Sequence, residues 1–157
     1  MLRFVLLFLV FLPAQAMAER VALVIGMGAY EHVIQLKNTI NDARNVGGKL
    51  ENVGFKFTYA IDKSQSQLLD IMQGFSFQAE TSDLALIYYA GHGVEVQGVN
   101  YLVPVDAKVN VAADIQRVGI SLNQILKTVE SARKMRVVIL DSCRVQPTIL
   151  LRGTNTM

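Results

Sequence analysis

The chain has 157 residues, 52% hydrophobic and 18% charged, with 11 Gly, 3 Pro and no Trp. That composition fits one compact domain and excludes disordered, collagen-like and low-complexity classes. The formal charge of +2 arises from scattered side chains, so neither nucleic acid nor an anionic membrane surface has an electrostatic footprint to bind.

At the N-terminus, Arg3 precedes an apolar run from Phe4 to Leu12, then Pro13 and the small-residue pattern Ala14-Gln15-Ala16-Met17-Ala18. This is the layout of a cleavable secretory signal, and the run falls short of the roughly 20 apolar residues that span a bilayer. Residues 1–18 are therefore expected to be a signal peptide. The mature chain is expected to be exported, periplasmic or secreted, with no stable membrane anchor. No Cys follows the small residues to carry a lipid. Loss of Arg3 leaves 14 basic against 13 acidic side chains.

Arg20-Val-Ala-Leu-Val-Ile-Gly26 is a continuous apolar run, the pattern of a strand buried on both faces. After a loop, Ile40, Ala43, Val46, Leu50 and Val53 recur at helical spacing, with Asn38 as N-cap and Gly54 as C-terminal stop. Phe55, Phe57 and Tyr59 alternate with polar residues, as in a half-exposed strand. Ser64 opens a helix with Leu68, Leu69, Met72 and Phe75 on one face, and Leu84 to Tyr89 is a second buried strand ending at Ala90-Gly-His-Gly93. Tyr101-Leu-Val-Pro104 reads as a short strand outside the main sheet. Ser121 caps a helix bearing Leu122, Ile125, Leu126 and Val129, and Met135 to Leu140 is the last strand, ending at Asp141-Ser-Cys143.

Alternating strands and helices predict an α/β fold, a parallel sheet with helices on both faces. The alternating strand belongs at an edge and the three apolar runs at the centre, which gives the strand order 2-1-3-4. Gly26, His92 and Cys143 then fall just past the carboxyl ends of strands, the side where open α/β sheets bind ligands.

Two of these residues carry chemistry. His92 stands between Gly91 and Gly93, which let the backbone turn and leave the imidazole unobstructed, and its ordinary pKa allows proton transfer near neutrality. Cys143 is the only cysteine. A lone thiol is most often a buried structural group, but an exported chain cannot staple itself with it, and a thiolate beside an imidazole attacks carbonyls. The pair stands about fifty residues apart, His first, as in caspase-type enzymes.

Five motifs carry a resemblance: Val24-Ile-Gly26 with Tyr30, Leu36-Lys-Asn-Thr-Ile-Asn-Asp-Ala43, Tyr88-Tyr-Ala-Gly-His-Gly93, Asn100-Tyr-Leu-Val-Pro-Val-Asp106 and Leu140-Asp-Ser-Cys-Arg144. Through them residues 20 to about 144 resemble the catalytic, large-subunit-like half of the caspase-like cysteine peptidases (peptidase family C14), in particular bacterial metacaspase and paracaspase-like members. The resemblance implies a three-layer α/β/α sandwich and a His92–Cys143 dyad. It also implies an oxyanion hole from the N–H groups of Gly93 and Cys143. Asp42 and Asp141 match the acidic residues of the specificity pocket, with Ala90 as a small lining residue. Two carboxylates favour a guanidinium or ammonium group, which implies cleavage of peptide or protein substrates after Arg or Lys.

The remaining sequence sets bounds. The resemblance covers residues 19–144 as a catalytic domain. Relatives normally continue with two more strands, whereas Val145 to Arg152 has no such look, so residues 145–157 read as an atypical, truncated tail with the C-terminal strands missing. That would leave the last strand as an exposed edge. A catalytically impaired interaction or regulatory module, possibly from a gene fragment, is the alternative, and an esterase or amidase on a similar sheet a third. Gly26-Met-Gly28 fails as a dinucleotide loop because Glu31 stands where a third Gly belongs. His32 lacks partners at ligand spacing, no zinc pattern exists, and no cofactor is expected. Metacaspase-like relatives often respond to calcium, yet no Asp-rich loop here has calcium-ligand spacing.

Overall fold

The structure is a computed structural model that describes residues 18–142. The expected signal segment up to Met17, Cys143 and the 145–157 tail lie outside the described residues.

Four parallel strands form the main sheet: β1 (Arg20–Gly26), β2 (Lys56–Ile61), β3 (Leu84–Ala90) and β7 (Met135–Asp141), in the order β2-β1-β3-β7. This is the expected order 2-1-3-4, its fourth strand being seventh along the chain. Helix α1 (Thr39–Asn52) covers one face, packing Ala43 with Ala22, Val24, Leu86, Tyr88 and Ala90. Helices α2 (Gln65–Thr81) and α4 (Leu122–Val129) cover the other, where Leu68, Phe75, Ile125 and Val129 meet Leu23, Ile25, Ile87 and Tyr89. Each such large side chain contributes about 1.5–3 kcal/mol by leaving water. The continuous apolar run of β1 is thus explained by helices on both sides, and the architecture is the three-layer α/β/α sandwich.

Local chemistry sets the helix ends. Ser64 and Ser121 each close a capping box with a Gln three residues on, Gln67 and Gln124. The stop of α1 is a Schellman motif: the N–H of Phe55 donates to the Leu50 carbonyl and that of Gly54 to the Glu51 carbonyl. Gly54 takes φ +85°, which a side chain would resist. Asn38 differs from expectation. It precedes α1 with helical backbone angles and no side-chain cap bond, while the Thr39 hydroxyl instead donates to the Met27 carbonyl at 2.9 Å.

Other expectations need correction. Val53, assigned to the apolar stripe of α1, is the exposed residue beyond its last turn, and Leu69 sits at the solvent margin of α2. The expectation that all three apolar runs are central fails for β7, which, like β2, forms an edge of the sheet among the described residues. Its Met135, Ile139 and Leu140 are 55%, 44% and 37% exposed. The strand at Tyr101 does lie outside the main sheet, as expected, in a second, antiparallel one of β4 (Gly93–Val96), β5 (Val99–Leu102) and β6 (Ile120–Ser121). The turn of β4–β5 uses Gln97 and Gly98 at φ +53° and +77°. β4, β6 and the five-residue α3 (Asp114–Val118) are too short to leave a periodic signal.

Candidate active site

At the carboxyl end of the main sheet, a cleft of about 220 Å³ is lined by Thr39, Asp42, Ala90, Gly91, His92 and Asp141. Four sequence-expected residues therefore share one pocket. Asp42 reaches it from the first turn of α1, Ala90 and Asp141 from the paired ends of β3 and β7, and His92 from the segment after β3. Ala90 is fully buried, Asp42 half-buried and Asp141 open to solvent. The Tyr88 hydroxyl donates to Asp141 Oδ2 at 2.8 Å. Burial first, then that hydrogen bond and the charges of Asp141 and Asp42, push the Tyr88 phenol well above its ordinary range. Both carboxylates thus act on the phenol of Tyr88.

His92 is buried, and its Nε2 lies 2.7 Å from the Ile34 carbonyl oxygen. A carbonyl only accepts, so the neutral ring carries its proton on Nε2 and leaves Nδ1 as the free base. Burial lowers the imidazole pKa from 6.5, partly opposed by the Ile34 bond, and the neutral form prevails at neutral pH. The backbone around it is held by two phenols. The His92 N–H donates to Tyr30 Oη at 2.8 Å, the Tyr89 hydroxyl donates to the His92 carbonyl at 2.8 Å, and the Tyr30 ring tilts against the imidazole at 4.6 Å. Desolvation pushes the Tyr30 phenol up to about 12 and that of Tyr89 well above its ordinary value, so both remain protonated hydroxyls.

The cleft thus sets two carboxylates beside a buried imidazole at the carboxyl end of the sheet. The sequence model of the caspase domain of the peptidase C14 family matches residues 19–156. The chain belongs to the caspase-domain family. It is also 29% identical over 127 residues to mucosa-associated lymphoid tissue lymphoma translocation protein 1 of Homo sapiens, and equally to its Mus musculus homolog. The match covers 80% of this chain and about 15% of the length of those relatives.

Within this caspase domain the glycines flanking His92 have a different purpose from the turn expected of them. Neither takes a positive φ. A Cβ on Gly91 would collide with the Tyr89 hydroxyl and come within 2.8 Å of that of Tyr30, and one on Gly93 would stand 2.8 Å from Ser142 Oγ. Close approach, not backbone freedom, demands them. Gly93 lines a second cleft rather than the acidic one. His32 is an exposed loop residue whose Nε2 lies 3.8 Å from Glu31 Oε2. Among the described residues no cluster of three His, Cys, Asp or Glu is placed to hold a metal ion.

Sequence reading missed the supports. Asp62 accepts the N–H groups of Gly28 and Ala29 at 2.7 and 2.9 Å, anchoring the loop that delivers Tyr30 and Ile34. Its φ of +47° at a strand end is tolerable for Asp, which bonds locally. Tyr88 and Tyr89 had one available signal: polar-tipped rings at the end of an otherwise aliphatic strand, since a buried phenol must find a partner.

Proposed function

We propose that this caspase domain is a cysteine endopeptidase that cleaves protein chains after Arg or Lys, with Cys143 as nucleophile and His92 as acid and base. The observation that carries the reading is the single cleft shared by His92, Asp42 and Asp141. A cationic side chain entering it meets two carboxylates, and a guanidinium can engage one of them through paired hydrogen bonds.

The chemistry follows from the tautomer. His92 Nδ1 takes the Cys143 thiol proton and the thiolate adds to the scissile carbonyl. The N–H groups of Gly93 and Cys143 receive the developing oxyanion. The C–N bond breaks as the imidazolium returns its proton to the leaving amine, and water, deprotonated by the same nitrogen, hydrolyses the thioester. The Ile34 carbonyl keeps the ring oriented through both transfers. Export rests on the composition of residues 1–18 and belongs to the same proposal.

An activity-based probe that joins a basic residue to a thiol-reactive electrophile tests it. Labelling of the wild-type chain and sparing of Cys143→Ala is the expected result; equal labelling of both rejects it. A second reading, a catalytically silent interaction module, is favoured by the exposed apolar side chains of edge strand β7. It requires unlabelled Cys143 together with stable pairing to another chain.

A further inference from the structure

A second cleft, of about 250 Å³, is lined by residues that include Gly93, Asn100, Leu102, Leu122, Leu140 and Ser142. We propose that it receives the side chain following the scissile bond and selects an uncharged, apolar one. The inference rests on the peptidase reading above and extends it to a second specificity site.

Strand alternation creates the pair of clefts. In β7, Leu140 pairs with Tyr89 and Asp141 with Ala90, so Leu140 shares the face of α2 and α4 while Asp141 shares that of α1. Ser142 follows Leu140 into the second cleft, as Gly93 does next to His92. Consecutive residues thus line pockets on opposite sides, and Cys143 is the next residue of the chain. An extended peptide has the same two-residue alternation. With a basic side chain in the acidic cleft, the next side chain points the opposite way, toward Leu122 and Leu140.

The lining decides the chemistry. Among the described residues no charged side chain lines the second cleft, and Leu102 in its lining is 2% exposed. A carboxylate or ammonium entering there loses water and meets no counter-charge, whereas Leu or Met exchanges water for apolar wall. Gly93 keeps the shared wall thin, because a side chain at that position would run into Ser142. Asn100, Tyr101 and Ser142 add polar atoms to the lining, which can pair with the peptide backbone.

The test uses the full chain and quenched fluorescent peptides that differ only in the residue after a common Arg: Leu, Gly or Glu. The Leu peptide should show a kcat/KM at least about tenfold above the Glu peptide, the discrimination expected of an apolar pocket. Leu122→Trp, which fills the cleft, should abolish that preference, and Leu140→Asp should shift it toward a following Lys. Equal rates for Leu and Glu, or an unchanged ratio in both variants, overturn the proposal. If no Arg peptide is cleaved, the peptidase reading fails separately. Anisotropy of labelled Leu and Glu peptides on Cys143→Ala then decides the subsite, and equal affinities reject it.

Discussion

The hydroxyl of Tyr30 accepts the backbone N–H of His92 at 2.8 Å while its ring lies 4.6 Å from the imidazole. One side chain from the loop after β1 therefore fixes both the main chain and the ring plane of a residue after β3. The same loop supplies the Ile34 carbonyl that fixes the tautomer. Asp62, holding the loop's first N–H groups, ties β2 into the assembly as well. The imidazole is positioned by three strand ends before any substrate arrives.

Tyr30→Phe removes the acceptor and leaves a buried N–H without a partner, a loss of about 1–3 kcal/mol. The ring contact survives. Tyr30 acts through His92, so the variant should lower kcat several-fold with little change in KM. Urea unfolding and steady-state kinetics on one Arg peptide check both halves. A drop in stability with unaltered kcat would leave Tyr30 a purely structural residue.

Asp42→Asn and Asp141→Asn each remove one charge from the acidic cleft while keeping an oxygen acceptor, which Tyr88 needs from residue 141. Each single change should cut kcat/KM for an Arg peptide about tenfold or more, in keeping with the 1.5–3 kcal/mol of a charged hydrogen bond. The double variant should lose the Arg preference altogether. Unchanged selectivity in the double variant would remove these carboxylates from the specificity pocket.

Burial lowers the His92 pKa from 6.5, so the folded protein takes up this proton at lower pH than the unfolded chain does. Unfolding therefore binds a proton inside that window, and stability falls as pH drops from about 6.5 toward the lowered value. Above about 6.5 the imidazole is neutral in both states and its contribution is constant. Thermal unfolding of Cys143→Ala across this range should show the slope, and His92→Asn in the same background should flatten it. An imidazole titration midpoint above 6.5 by NMR would contradict the sign.

Length and burial decide what the sequence made legible. β1, β3 and α2 are long and apolar on a clear period, and their order followed from that alone. Asp42, His92 and Asp141 were legible as family motifs, and three separate elements carry them to one cleft. The Ile34 carbonyl and the Tyr30–His92 bond were not legible, because both are main-chain contacts spanning 58 and 62 residues. The role of Gly91 was misread for the same reason. A glycine required by a neighbour's hydroxyl looks in sequence like one required by a turn.

β7 presents Met135 and Ile139 to solvent at the sheet edge. An apolar edge, unpaired among the described residues, invites pairing with another chain, and a lysine on such an edge opposes it. Ile139→Lys should reduce self-association of the full chain in sedimentation velocity while changing stability by no more than about 0.5 kcal/mol, as for other surface substitutions. A large loss of stability would mean that this face is covered in the folded protein.

Gly91→Ala tests the crowding that accounts for the glycine. The added methyl collides with the Tyr89 hydroxyl and approaches that of Tyr30, so one of the phenols must move. Overpacking at a rigid site costs about 1–3 kcal/mol. Displacing Tyr89 also breaks its bond to the His92 carbonyl, so activity should fall along with stability. Tyr89→Phe removes the offending oxygen at the cost of the same bond. The two losses therefore overlap, and the double variant should be more stable than the sum of the single changes allows, by a coupling of about 0.5–3 kcal/mol. Strict additivity in that cycle would mean that the methyl is accommodated elsewhere and that close approach is not why residue 91 is glycine.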